Sequence, residues 1–438
     1  MAQPEDVAAD LLSFIDASPT PYHAVAEAVR RLVAGGFSAM SPLDDWTELP
    51  AKGFLARDGA LIAWVAPERG GAVSQSDGRG TPFRIVGAHT DSPNLRIRPQ
   101  PDTGRAGWRQ LGVEVYGGAL VNSWLDRDLG LSGRVAVRTS LPDGTSKVEL
   151  HLVRVDRPVL RIPQLAIHLD RDVNERGLLL DRQVHLTPVW SVGSPEPGGF
   201  ARFLADEMGI EADRVAAWDV MVHDVNPGTV AGRDGELLSA PRLDNQCSCH
   251  AAITALGACS TEGTSIAVAA LYDHEEIGST SATGADGGFL ASVLERITIA
   301  RGGDRADHLR ALAGSACLSA DMAHATHPNY PERHEPDHPV IVNGGPVVKI
   351  NVNQRYATDG RTQAGFEQAC VDAGVPFQRF VSRGNMPCGS TIGPITAARL
   401  GIPTVDVGVA QLGMHSVREL CGSADPAAFG AALTCWLG

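Results

Sequence analysis

Apolar residues recur along the chain with two periods, and the switch between them divides it. Residues 5 to 16 carry Val7, Leu11, Phe14 and Ile15 at helical spacing. Ser18-Pro19-Thr20-Pro21 breaks that helix, and a second is predicted from about Tyr22 to Val33, ending before Gly35-Gly36. Residues 61–66 and 83–88 read as strands, the second running Phe83-Arg84-Ile85-Val86-Gly87-Ala88 directly into His89-Thr90-Asp91-Ser92-Pro93.

Beyond Pro99 the period shortens to two. Val113-Glu114-Val115, Val135-Ala136-Val137 and Val148-Glu149-Leu150-His151-Leu152 alternate, and Pro142-Asp143-Gly144 between the last two marks a hairpin turn. Gly, Pro and charged residues punctuate the chain to about residue 198, which predicts a β-rich module with few long helices. A helix around Gly199 to Met208 and a strand around Val215 to Val222 follow.

From Pro241 strands and helices alternate again. Asp244 heads a helix through Ala258; strands are predicted near 265–272, 315–320, 346–352 and 403–409, and helices near 286–296, 361–373 and 426–437. The expected fold is α/β: a discontinuous α/β domain with a mixed sheet, residues 1–95 completed by 236–438, interrupted by an inserted β-rich domain at 96–235. There is no internal repeat.

The stretch Ala269-Ala270-Leu271-Tyr272-Asp273-His274-Glu275-Glu276-Ile277-Gly278-Ser279-Thr280 organises the rest. A short run of small and β-branched residues ends abruptly in charge, as a buried strand does when it delivers its polar groups at its carboxyl end. In open α/β sheets ligands bind there. Two adjacent glutamates leaving a strand need not point the same way, so one can hold a metal while the other faces water on it. An isolated Glu-Glu pair is more often a solvated turn; the remaining motifs change that balance.

At 438 residues the chain is too long for one ordinary core, and two domains are expected. The net charge of -14 argues against a nucleic-acid partner, though not against an acidic small substrate held in a local basic pocket. The start, MAQPEDVAADLL, lacks a basic region and an apolar core, so no signal peptide is expected. No apolar run approaches bilayer-spanning length, so no membrane partner is expected either. The eight cysteines form no CxxC pair, and reduced, buried thiols in a cytoplasmic protein are the expectation. Cys247-Ser248-Cys249 is too tight to chelate one ion with both sulfurs and reads as packing.

Five stretches put metal-type ligands at strand ends or helix starts. They are Gly87-Ala88-His89-Thr90-Asp91, Arg242-Leu243-Asp244-Asn245, His274-Glu275-Glu276, Ser319-Ala320-Asp321-Met322-Ala323-His324 and Gly413-Met414-His415-Ser416. Singly each is a cap or a surface residue more often than a ligand. Together they suit a hydrolytic site of two divalent ions roughly 3.5–4 Å apart, sharing a carboxylate and a water. A carboxylate that is not a ligand then moves the proton. Nitrogen and oxygen ligands without thiolate fit zinc, with manganese or cobalt as possible substitutes.

These residues resemble a known family. HTDSPNLRIRP, EVYGG, LDRDL, IPQLAIHLDRDVNE, SAPRLDNQ, DHEEIGS, SADMAHATHPNYPERHE, VVKINVNQRYATD and LGMHSVRE look like the aspartyl aminopeptidase family of dinuclear zinc peptidases, here a bacterial member, over nearly the whole chain. The resemblance implies that His89 and Asp321 hold one metal, Glu276 and His415 the other, and that Asp244 bridges them. Glu275 would be the general base. Asp91 would accept the His89 N–H turned away from the metal, or else cap a turn. Lys349, Tyr356 and Met414 resemble substrate-pocket residues. His168 reads by itself as a satisfied histidine on a strand; the resemblance implies that it reaches a neighbouring subunit's site. His324, His327 and His334 receive no ligand role. The inserted segment would be a dimerisation domain and the assembly a tetrahedral dodecamer built from dimers.

The function so implied is metal-dependent removal of unblocked N-terminal residues from peptides, with Asp or Glu preferred. Two alternatives stay open: a metallo-deacylase or carboxypeptidase on the same site, and a catalytically idle self-assembling scaffold.

Overall fold

The structure, a computed structural model, describes residues 3–68 and 80–438. It forms two compact units: Met1–Asp91, Gly228–Met414 and Glu419–Gly438 make one, and Ser92–Pro227 with His415–Arg418 make the other.

The first unit is built on a nine-stranded mixed sheet, in the order Ser38–Ala39, Lys52–Arg57, Ala60–Val65, Ile266–Tyr272, Phe83–His89, Ala316–Ala320, Thr404–Gly408, Val347–Ile350 and Gln378–Val381. Its centre is parallel: Phe83–His89 runs with Ile266–Tyr272 on one side and Ala316–Ala320 on the other, and Thr404–Gly408 runs with Ala316–Ala320. Antiparallel pairs flank this centre, with Ala60–Val65 beyond Ile266–Tyr272 and Val347–Ile350 beyond Thr404–Gly408.

Every residue of Ile266–Tyr272 is buried. Ala267, Ala269 and Leu271 face one core, under helices Pro4–Ala17, Pro21–Ala34, Leu243–Ala258, Gly360–Asp372 and Asp425–Leu437. Val268, Ala270 and Tyr272 face the other, under Phe289–Ala300, Arg305–Ala313 and Ile392–Leu400. A strand covered on both faces has no use for polar side chains, which is why its sequence is an unbroken apolar run. A smaller sheet in the same unit is ordered Thr229–Ala231, Leu237–Ala240, Glu419–Gly422, Ala410–Leu412 and Ala323–His324.

The second unit is a six-stranded antiparallel sheet, in the order Ser146–Leu160, Leu129–Ser140, Val215–Asp224, Asn94–Arg105, Trp108–Tyr116 and Val189–Val192. The hairpin at 141–145 closes with the Gly144 N–H donating to the Leu141 carbonyl, and Gly144 at φ 84 supplies the left-handed residue. Helix Gly199–Met208 packs Phe200 and Leu204 onto the buried face of Leu95, Leu131, Val153 and Val220.

Residues 161–188 of this unit contain one short helix, Val173–Arg176, and no strand. His168 stands exposed in a turn there, so its reading as a strand histidine is corrected. Leu165, Ile167 and Leu169 alternate as a strand would, but Pro163 interrupts the chain just before them and no neighbouring strand among the described residues supplies a ladder. No helix among the described residues is long and apolar enough to cross a membrane.

Candidate metal centre

Three parallel strands end side by side in the first unit. Tyr272 pairs with His89 in register, and Ser319 with Gly87. The chain therefore leaves Ile266–Tyr272 into Asp273-His274-Glu275-Glu276, leaves Phe83–His89 at His89, and leaves Ala316–Ala320 into Asp321, all at one sheet edge.

The start of helix Leu243–Ala258 is stitched across this edge. Asp244 and Asn245 have non-helical backbone, a local break in an otherwise regular helix. Asn245 Nδ2 donates to the Ala320 carbonyl at 2.8 Å, Gln246 Nε2 to the Thr90 carbonyl at 2.6 Å, and Cys249 Sγ to the His89 carbonyl at 3.0 Å. Burial pushes the Cys249 thiol up to about 12, so it stays a donor. The Asp244 N–H donates to Glu419 Oε2 at 2.9 Å. These bonds tie the helix start to the ends of two strands and hang the Asp244 carboxylate between them.

His89 and Asp244 are almost fully buried. His89 Nε2 lies 3.3 Å from Asp244 Oδ1 and 3.4 Å from Asp321 Oδ1. Its other ring nitrogen, Nδ1, donates to the backbone carbonyl of Asp91 at 3.0 Å, with the Asp91 carboxylate farther off at 3.5 Å. That donation fixes the tautomer and leaves Nε2 to face the carboxylates. The Asp91 carboxylate itself is turned to the neighbouring strand end, where Oδ1 and Oδ2 accept the N–H groups of Glu275 and Glu276, each at 3.1 Å. It caps the 3-10 turn Glu275–Ile277 and fixes where both glutamates leave the sheet.

Lys349 is 2% exposed. Its Nζ donates to Asp321 Oδ2 at 3.0 Å and to the Met322 carbonyl at 3.2 Å, and lies 5.1 Å from the centre of the Tyr356 ring. A buried ammonium thus holds one oxygen of Asp321 while the other faces His89. Tyr356 is buried and packs edge-on to Phe380, and Met414 packs partly buried against the core under Leu243–Ala258. His415 falls in the second unit, where Nδ1 lies 3.2 Å from the Gly118 carbonyl and its own carbonyl accepts from the Leu120 N–H. In the loop after Asp321, His334 Nε2 accepts the His327 N–H at 3.1 Å and His327 Nδ1 accepts the Asn329 N–H at 3.1 Å, which are structural roles.

Within the first unit, ligand atoms of His89, Asp244 and Asp321 lie within 4.8 Å of one another, as do those of His89, Glu275 and Glu276. The electrostatics call for a cation. Burial alone would lower the His89 pKa, but the hydrogen bonds offered by Asp244, Asp321 and Asp91 overcome it and raise it well above the ordinary value. Burial pushes Glu275 up to about 8; His89 pulls it down, and the Asp321, Asp91 and Asp244 carboxylates add to the rise. Glu275 holds its proton because it is buried among carboxylates that one imidazole and the Lys349 ammonium do not fully offset. The donor set, imidazole and carboxylate without thiolate, fits zinc. Asn245, Gln246 and Glu419 carry supporting bonds and had no predicted role, and Cys249, expected only to pack, carries another. Asn245 and Gln246 adjoin Asp244 in sequence, but nothing local shows that they reach the carbonyls of other strands.

The family model described as aminopeptidase I zinc metalloprotease (M18) matches residues 14–434. The chain is similar to the Streptomyces coelicolor protein named "Probable M18 family aminopeptidase 2", 55% identical over 432 residues that span 98% of this chain and 96% of that one. Among solved structures it is similar to a chain of an Ape4–Nbr1 complex, with TM-score 0.92 and 34% identity over 99% of this chain and 86% of that one. It is also similar to the mApe1 dodecamer of S. cerevisiae, with TM-score 0.84 and 30% identity over 98% of this chain and 96% of that one.

Proposed function

The chain belongs to the aminopeptidase I zinc metalloprotease (M18) family, and from that premise we propose a two-metal aminopeptidase that removes unblocked Asp or Glu residues from peptide N-termini. That it is a zinc metalloaminopeptidase, a peptide hydrolase, follows from the family. The number of ions, the roles of the residues and the acidic preference are the proposal.

One observation carries it: His89, Asp244, Asp321, Glu275 and Glu276 converge at one sheet edge, a crowd of carboxylates that raises the pKa of both His89 and Glu275. His89 and Asp321 would hold one ion and Glu276 and His415 the other, with Asp244 shared between them. His415 enters this set through the likeness of Gly413-Met414-His415-Ser416 to the family motif. When bound, such ions supply Lewis acidity and a water acidic enough to react at neutral pH.

The chain's own groups do the rest. A Glu275 carboxylate oxygen takes the proton from the attacking water and returns it to the leaving amine nitrogen. Asp91 fixes the direction of Glu275 by holding its main chain. Lys349 spends two of its three N–H donors on Asp321 and the Met322 carbonyl, and the remaining donor is assigned to the acidic side chain of the substrate. Tyr356 and Met414 line the pocket for that side chain.

The same reading makes the protein a cytoplasmic homo-oligomer, a dodecamer built from dimers that are joined through a dimerisation domain at residues 96–235, with His168 completing a neighbour's site. The dodecamer of the similar yeast chain supports this, and so does the exposed apolar set Leu165, Ile167, Leu169 and Leu179 around His168.

The test is a panel of aminoacyl-anilides and N-acetylated controls, run after metal stripping and measured readdition. Hydrolysis of free Asp and Glu substrates that returns with two zinc ions per chain is expected. Cleavage of the acetylated substrates, or preference for Leu, would overturn the substrate assignment.

A further inference from the structure

Asp406 is fully buried in the strand Thr404–Gly408, between the apolar Val405 and Val407. Sequence patterning gives a carboxylate no reason to be there. Its partners come from two distant segments. Oδ2 accepts the Ala357 N–H at 2.6 Å, and Oδ1 accepts the Thr391 hydroxyl at 2.5 Å. Its own N–H donates to Thr358 Oγ1 at 2.9 Å. Both residues after Tyr356 are therefore held by Asp406, one by its side chain and one by its main chain.

The close approach is built in from the other side as well. Thr391 caps helix Ile392–Leu400, and a Cβ at Gly393 would lie 2.3 Å from Asp406 Oδ2. Only glycine lets that helix start come so near the carboxylate. Across the sheet, Val348 pairs with Val407, which brings Lys349 next in register to Asp406. Yet the Lys349 ammonium is bonded to Asp321, under the Tyr356 ring.

We propose that Asp406 is a positioning residue for the metal centre, acting through the turn that carries Tyr356. By pinning Ala357 and Thr358 it sets the Tyr356 ring beside Lys349. The ring lies 5.1 Å from the ammonium, and the ammonium holds Asp321 Oδ2, leaving Oδ1 toward His89. A carboxylate suits the position because it accepts from two donors at once. An apolar residue there leaves the Ala357 N–H and the Thr391 hydroxyl buried without acceptors. The proposal rests on Asp321 being a zinc ligand.

The experiment compares Asp406→Asn, Asp406→Ala and Thr358→Val with wild type, all loaded with zinc. Three quantities are read: amide exchange across residues 351–359, zinc affinity by chelator competition, and kcat and KM separately. Asn can accept from the Ala357 N–H and donate to Thr391 Oγ1, so it should stay within about threefold of wild type on every measure. Ala should speed exchange selectively in the turn and weaken zinc retention at least tenfold. Its kcat should fall more than tenfold with little change in KM. Thr358→Val leaves the carboxylate intact and should give the same pattern in weaker form, so an Ala chain that does not fold still leaves a test. Zinc affinity and kcat unchanged in Thr358→Val and in a folded Ala variant would overturn the proposal. So would exchange that rises equally over the whole sheet, the mark of a packing role alone. If the peptidase reading fails instead, wild type is itself inactive while the exchange and zinc measurements still report on Asp406.

Discussion

The Lys349 ammonium is bonded to Asp321 at 3.0 Å with almost no access to water. Lys349 is thus a partner of a candidate ligand before it is a partner of any substrate. Lys349→Met should act on both. Zinc affinity should fall at least tenfold as Asp321 loses its anchor. The ratio of kcat/KM for Glu over Leu substrates should fall as well, because losing a buried charge partner costs about 2–5 kcal/mol in recognition. A ratio that holds while zinc is lost would confine Lys349 to Asp321.

Glu275 and Glu276 should separate on mutation. Glu275→Gln should keep its zinc and lose about 10²–10⁴-fold in kcat, the usual worth of a positioned proton-transfer group. Glu276→Gln should lose one of two bound ions. Metal analysis beside kinetics decides, and a Glu275→Gln enzyme with full metal and near-normal turnover would remove the base assignment.

Asp91→Asn tests the cap. An amide has one acceptor oxygen where the carboxylate has two, so one of the N–H groups of Glu275 and Glu276 loses its partner. Activity should drop about 10–100-fold, as when groups that orient metal ligands are changed. The His89 Nδ1 bond goes to the Asp91 carbonyl and should survive. Unchanged kinetics would show that the turn holds without the cap.

Asp425 gives a pH signature away from the metals. It is buried, accepts the N–H groups of Asn343 and Gly345 at 2.6 and 2.9 Å, and is pushed up to about 6 by burial. The unfolded chain ionises this group near pH ~3.9. Between roughly pH 4 and 6 the folded state therefore binds the extra proton. Stability from this group is present at low pH and is lost as pH rises through about 6, by up to about 2–3 kcal/mol. Asp425→Asn should flatten that part of the Tm–pH curve; an unaltered slope would contradict the raised value.

Assembly can be tested through His168. If it completes a neighbour's site, dissociating the particle should abolish most activity. Mixing His168→Ala subunits with Glu275→Gln subunits should then restore part of it. A fully active monomer would contradict this reading.

What can be read from sequence is whatever the chain states locally. Ile266–Tyr272 is apolar without interruption because both faces are covered, and the charges that follow it mark the strand's end. Helix Gly199–Met208 lies where glycines and spacing put it. The short strands Lys52–Arg57 and Ala410–Leu412 escape such a reading because their pairing, not their pattern, makes them strands. Helix Arg305–Ala313 escapes it too, although Asp304 and Asp307 form a capping box at its start. At the site, ligand types at strand ends are visible, but the supporting bonds are not. Asp91 meets Glu275 across 184 residues, and Asn245 meets the Ala320 carbonyl across 75. No local pattern records such a distance.

The stitching of this sheet edge bears on how zinc gets in. Asp91, Asn245, Gln246 and Thr90 all bond to main-chain groups of other segments. The scaffold around His89 and the two glutamates thus stands on contacts that need no metal. Loading should be a capture event at a preformed site, first order in free zinc and accompanied by proton release, with no folding phase to wait for. The apoprotein should keep its sheet, and its rate of filling at a given zinc concentration should rise with pH as His89 and Glu275 lose their protons.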